Sequence, residues 1–435
     1  MYRRCPYLTT ARRRSERLLW CGLALRSIAL SAAFGLTLVT SLPVQAANFH
    51  CGAGNVPCLI AAITEANANG EKKNRILLDA GTYTLTAVDN STDGANGLPS
   101  ITSSLEITGA GAQTTIIEHA AGFPSLPGFR LMHVAATGDL TLEGLTLRGG
   151  FIDFLPGLTR QGAGLYNNGG TVMISNSVLN GNSAGPNSAG GGLYNVHGMV
   201  NLTNSILSNN TAFGGGGIWN TAGGSVTITR STLANNFGVA IGGGILNETG
   251  GTVTITDSTI ASNVTFDPGR GGGIDNFGTL TIVNTTLSGN HGDHGHGGGA
   301  IANASGTVSI INSTISGNSG LPGGILNDIG IVTLQNSILA LNGLADCSAV
   351  TSLGNNVIGT TNRCAITLQH SDFTGDPGLA AFSDDGTPGN GHYPLLATSQ
   401  AIDGGYEPAC PKRDQLGKKR HHQCDIGAIE FTDPD

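Results

Sequence analysis

The strongest constraint on this chain is a repeat. One unit recurs seven times: Gly-Gly (Ala replaces one glycine in two copies), then Ile or Leu, any residue, and Asn. After a short gap come Val or Leu, x, Ile or Leu, two residues, Ser or Thr, x, Ile or Leu, two residues and a closing Asn. The first apolar position is Leu165, Leu193, Ile218, Ile245, Ile274, Ile301 and Ile325, at spacings of 28, 25, 27, 29, 27 and 24 residues. The Asn two residues later never fails: Asn167, Asn195, Asn220, Asn247, Asn276, Asn303 and Asn327. The closing Asn is equally regular, from Asn182, Asn210 and Asn236 through Asn263, Asn290 and Asn318 to Asn342.

Each unit carries short alternating runs, such as Val226-x-Ile228 and Ser231-x-Leu233. Period-two alternation makes a strand with one face inward. Runs this short bury no core alone; stacked on identical neighbours they build parallel sheets around a continuous Val/Ile/Leu interior. The expected fold is therefore all-β: a single-stranded right-handed parallel β-helix of roughly eleven coils, about 50 Å long at ~4.8 Å per coil. The Asn at each corner is expected to adopt left-handed backbone geometry and to bond its amide to the Asn one coil away. Variation in repeat length falls between the closing Asn and the next Gly-Gly, which places loops along one edge. Leu140-x-Leu142, Leu145-x-Leu147, Leu105-x-Ile107, Ile116-Ile117 and Ile76-x-Leu78 extend the array toward the N-terminus, with Gly150 in one Asn place.

Composition agrees with an array. The 435 residues include 68 glycines but only 11% charged residues and 5% aromatics. A formal charge of −8 excludes nucleic acid as a main partner, because phosphate binding needs a basic face. Residues 1–46 read as a signal peptide: Arg3, Arg4, Arg12, Arg13, Arg14 and Arg17, then an apolar stretch Ser27–Thr40, then Val44-Gln45-Ala46. The competing reading is an uncleaved membrane anchor. No later stretch is long and apolar enough to span. Cleavage leaves six cysteines, which in an exported chain read as disulfides. The sequence-local set is Cys51–Cys58, Cys347–Cys364 and Cys410–Cys424, all near the ends. Residues 47–75 form an N-terminal cap with a helix over Pro57–Asn69, 76–345 the β-helix, and 346–435 a C-terminal cap and disulfide-containing region.

Two segments resemble a bacterial group of exported right-handed β-helix proteins with a CSLREA-type N-terminal segment and a choice-of-anchor Q-type C-terminal region. The first is Cys58-Leu59-Ile60-Ala61-Ala62-Ile63 with Ala66-Asn67 and Ile76–Leu85. The second is Ser399-Gln400-Ala401-Ile402-Asp403-Gly404, Cys410, Asp414-Gln415-x-Gly417 and Cys424-Asp425-Ile426-Gly427-Ala428-x-Glu430. The group shares its fold with pectate lyases, other polysaccharide lyases, uronan epimerases and adhesin passenger domains, so the resemblance implies a secreted or cell-surface location and leaves the activity open.

Three features could carry function. Tyr166, Tyr194 and Trp219 occupy one outward repeat position on successive coils, an exposed platform for sugar rings or a stiffening stack. Asp267, Arg270, His291, Asp293, His294 and His296 lie on two consecutive edge loops. His291, Asp293, His294 and His296 could hold a divalent cation, and Asp267, Arg270, His291 and Asp293 could supply base, acid and cation for abstracting a proton from a uronic acid; the plainer alternative is a solvated loop. Asp257 and Asp275 are weaker carboxylate candidates. The pair His421-His422 beside Lys418, Lys419 and Arg420 reads as solvated surface. The expectation is a monomeric protein that binds polysaccharide or cell-surface glycan, with a lyase or epimerase as the first alternative and a purely structural rod as the second.

Overall fold

The computed structural model describes residues 47–432 except 121–127, 153–160, 186, 267, 294–296 and 422. The proposed signal peptide, Asp267, His294, His296 and His422 therefore lie outside the described residues. The chain is an all-β parallel β-helix of about ten turns, close to the expected eleven. Four parallel sheets run along it: two of twelve strands, one of eight and one of five. One coil shows the order. Ile218–Asn220 lies in the eight-stranded sheet, Ser225–Thr229 in the first twelve-stranded sheet, Thr232–Ala234 in the second, and Phe237–Ile241 in the five-stranded sheet. The fourth run, at the variable edge, was not expected from the repeat.

The repeat puts its apolar positions inside. In Thr252–Thr256 and Thr279–Val283, Val253, Ile255, Leu280 and Ile282 are fully buried while their neighbours face outward. Identical registers stack them: Val226 pairs with Val253 and Ile228 with Ile255. Core Leu/Ile residues each contribute about 1.5–3 kcal/mol by burial.

Both Asn series form ladders. Asn167 Nδ2 donates to Asn195 Oδ1 at 2.8 Å, and the bonds continue through Asn220, Asn247, Asn276 and Asn303 to Asn327 at 2.8–2.9 Å. The closing series runs from Asn182 to Asn342 at 2.9–3.0 Å. The repeat's Ser or Thr forms a third ladder: the Ser231 amide donates to Ser258 Oγ at 3.2 Å, and the Ser231 hydroxyl donates to the Thr229 carbonyl of its own coil.

The backbone expectation needs correction. None of the ladder asparagines is left-handed. One left-handed series stands one place before the Ser/Thr ladder, at Asn176, Asn204, Arg230, Asp257, Asn284, Asn312 and Asn336, with φ between 43° and 51°, and a second stands one place before the closing Asn, as at Asn209, Asn235 and Ser262. The sharp turn between the two twelve-stranded sheets needs positive φ, which Asn tolerates better than most residues. The ladder amides instead point inward and satisfy buried backbone carbonyls, as Asn236 Nδ2 does with Leu207 O at 2.9 Å.

The N-terminal end is closed by the helix Val56–Ala68. Asn55 caps it by accepting from the Cys58 amide, and Leu59, Ala62, Ile63 and Ala66 face the core. The strand Ala47–Cys51 pairs with Asn74–Leu78, and Cys51 is bonded to Cys58. Cys347 is bonded to Cys364 and Cys410 to Cys424. Strands continue past residue 345, to Val357–Ile358 and Phe373–Thr374. The chain then turns back and lies on the outer face of the second twelve-stranded sheet. Gln415 Nε2 donates to Gly389 O and Gly391 O at 2.8 Å, and its Oε1 accepts from Thr286. Arg420, 5% exposed, pairs with Glu430 at 3.0 Å and reaches Asn284.

Candidate functional site

Strand alternation gives the eight-stranded sheet one outward residue per coil. In register these are His133, Tyr166, Tyr194, Trp219, Leu246, Asp275, Ala302 and Leu326. The three aromatics form a continuous column, with ring centroids 5.4 Å apart between Tyr166 and Tyr194 and 6.0 Å between Tyr194 and Trp219. The rings are tilted or edge-on, an arrangement aromatic quadrupoles favour.

Exposure differs from the expected open platform. Tyr166 is buried and Tyr194 and Trp219 are half-buried. The Arg130 guanidinium lies 4.8 Å from the Tyr166 ring centroid and covers it. Trp219 Nε1 donates to Glu248 Oε1 at 2.7 Å, one coil on. Burial pushes the Tyr194 phenol up to about 12, with the Glu248 charge adding to it, so it stays a neutral donor. Tyr194, Trp219 and Glu248 thus present ring edges beside a carboxylate.

At the N-terminal end the column meets a polar cluster. His133 is fully buried; its Nδ1 is 2.9 Å from Ser100 Oγ and its Nε2 3.3 Å from Asp93 Oδ2. Asn168 Nδ2 donates to the same Asp93 oxygen at 2.9 Å. Arg130 Nη1 donates to Asp93 O at 2.9 Å and Asn96 Oδ1 at 3.1 Å. Burial foremost, then the Arg130 charge, pushes His133 down to about 4, so it is neutral at pH 7. These residues were missed in the sequence because Leu131-Met132-His133-Val134 lacks the Gly-Gly and Asn of the repeat. Its register with Tyr166 was the available signal.

At the other end, Arg270 clamps Asp275 with Nε–Oδ2 at 3.0 Å and Nη2–Oδ1 at 3.1 Å, and reaches Asp328 at 3.2 Å. Asp275 is fully buried, and burial raises its carboxyl to about 6 against the pull of Arg270. Arg270 also lies 5.0 Å from the Phe277 ring centroid. The two edge loops do meet: the Asp293 amide donates to Gly269 O at 3.2 Å. His291 Nδ1 sits 2.9 Å from Ser319 Oγ. Arg270, however, is drawn onto the sheet face toward Asp275. Among the described residues no three His, Cys, Asp or Glu side chains are grouped to hold a metal. Asp257 lies elsewhere, at the corner between the twelve-stranded sheets, bonded to Asn284 at 3.1 Å.

Among the described residues no helix is long and apolar enough to cross a membrane. No family model and no curated protein matches the chain, so the CSLREA and choice-of-anchor resemblance gains no support from that side. Solved structures do match. Pectate lyase Pel9A is 16% identical over 90% of this chain and 98% of its own, with a TM-score of 0.50. The A-module of the mannuronan C-5 epimerase AlgE4 from Azotobacter vinelandii is 16% identical over 74% of this chain and 95% of its own, with a TM-score of 0.34. At this identity the pectate lyase likeness establishes the fold, the parallel β-helix already traced through the ladders.

Proposed function

We propose that this is an exported β-helix protein that binds polysaccharide along the outward column of its eight-stranded sheet. The observation that carries the reading is the aromatic run at a single register on three consecutive coils, with polar clusters at both ends. Sugar rings pack their C–H faces on aromatic side chains, and flanking Arg and carboxylate groups fix hydroxyls. Export is supported by the Arg-rich leader pattern and by six cysteines paired as three disulfides.

A lyase or epimerase is the second reading. Its support is the solved pectate lyase of the same fold, together with Arg270 set between Asp275 and Asp328. One experiment separates the two. The purified protein is titrated with uronate and neutral oligosaccharides, and the same mixtures are followed by ultraviolet absorbance for unsaturated product. Binding without product, weakened by about 1–2 kcal/mol in Trp219→Ala with an unchanged melting curve, is the expected result. Absence of binding across the panel would reject the proposal, and product formation lost in Arg270→Lys would move the assignment to the enzyme.

A further inference from the structure

The corner between the two twelve-stranded sheets carries one left-handed residue per coil. Across the seven repeat coils it is Asn at Asn176, Asn204, Asn284, Asn312 and Asn336, and it departs from Asn on two adjacent coils, at Arg230 and Asp257, while the irregular coil before them has Gly144 in this place. A repeat that keeps the residue its backbone prefers, and abandons it twice in succession, marks a place where something besides stacking sets the sequence. Arg is poorly suited to positive φ, and Arg230 sits at 46°.

Those two residues line a cavity of about 300 Å³ together with Asn390 and Arg413. Its roof is the returning C-terminal chain. A neighbouring cavity of about 400 Å³ is lined by Gln113, Asn176 and Asn204. The two share Asn204, Thr387 and Pro388, so they form one groove whose corner residues Asn176, Asn204, Arg230 and Asp257 lie on four consecutive coils, with Gln113 reaching in from an earlier one. Three coil steps make it about 14 Å long. Gly389 fixes the roof: its φ is +77°, and a Cβ there would stand 2.7 Å from Asp257 O and 2.8 Å from the Arg230 carbonyl carbon.

The groove holds cationic donors to spare. Among the described residues the Arg230 guanidinium makes one hydrogen bond, from Nε to Asn204 Oδ1 at 3.0 Å. That of Arg413 makes one, from Nη1 to Gly417 O at 2.7 Å. Among the described residues neither forms an ion pair. Asp257 is held by Asn284 at 3.1 Å, and Asn176, Asn204, Asn390 and Gln113 add amides along the wall. Guanidinium groups with unengaged N–H donors match carboxylates in geometry and charge. Asp414 also lines the groove, but it is fully buried and both its oxygens accept from backbone amides, of Lys418 and Glu430. The amides and the Asp257 carboxylate suit a row of hydroxyls.

We infer that this corner groove is a second binding site, specific for an acidic oligosaccharide whose carboxylates meet Arg230 and Arg413. It lies on the opposite side of the first twelve-stranded sheet from the aromatic column and does not depend on that column binding anything.

The test uses the full mature chain, hexameric galacturonate and mannuronate as probes, and their carboxyl-reduced counterparts as neutral controls, by calorimetry. Arg230→Asn restores the residue found on the other coils and keeps the fold; Arg413→Gln removes the second charge. Each is expected to weaken uronate binding about tenfold, the loss of one charge-assisted bond. Trp219→Ala should leave this component unchanged. Binding retained in both arginine variants but lost in Trp219→Ala would overturn the corner site while sustaining the aromatic one. Equal binding of the neutral hexamers, or no binding of either uronate, would overturn it as well.

Discussion

Asn247 stands between Asn220 and Asn276 and bonds to both, accepting from one at 2.9 Å and donating to the other at 2.8 Å. It is fully buried, so no water replaces a lost partner. Asn247→Leu therefore orphans an amide donor and an acceptor at once. The expected cost is about 1–3 kcal/mol, read as a lowered unfolding midpoint; an unchanged midpoint would mean that the ladder adds nothing. His133 gives a pH signature. Its folded value, about 4, lies below the ordinary 6.5, so between those limits the unfolded chain binds the extra proton. Stability from this group is complete above pH 6.5 and declines as pH falls toward 4, by at most about 3 kcal/mol. His133→Gln should flatten the stability profile across that window relative to wild type. An identical slope in the variant would assign the acid sensitivity to other groups.

At the scale of elements, what could be read from the sequence follows from what stacking enforces. Val253, Ile255 and Asn247 recur because each coil rests on an equivalent coil, and so a strict period reveals them. The helix Val56–Ala68 was legible for local reasons, Pro near its start and Gly70 past its end. The cover over Tyr166 was not legible, because Arg130 comes from an irregular coil and no period links it to the aromatic position. Nor was the path of the C-terminal segment. Gln415 meets Thr286 across 129 residues, a pairing without local periodicity. The returning segment explains the buried polar motif: Asp414, Gln415, Arg420, Asp425 and Glu430 are all at most 5% exposed and bond to one another, to the chain's own backbone or to the second twelve-stranded sheet. Gln415→Ala removes bonds to Gly389, Gly391 and Thr286 together. The segment 384–432 should become protease-sensitive while the β-sheet circular dichroism is retained. Equal protease resistance in wild type and variant would show that the clasp is held by other contacts.

At the scale of the molecule, a solenoid has no long-range core; each coil contacts its neighbours, and stability is nearly a sum of coil and interface terms. Ends are then the weak points, since a terminal coil has one interface instead of two. The cysteines are distributed accordingly. Cys51–Cys58 ties the capping helix to the first strand, Cys347–Cys364 sits at the last coils, and Cys410–Cys424 closes the returning segment. No cysteine lies between residues 58 and 347. Cross-links act on the loops they close, of 7, 17 and 14 residues. Reduction should therefore be felt locally. Hydrogen exchange under a reductant is expected to accelerate in 47–85 and 340–430, while strands such as Thr252–Thr256 and Thr279–Val283 keep their protection. A uniform acceleration along the whole chain would instead mean that the coils open as one cooperative unit, and that the caps govern the middle as strictly as they govern the ends.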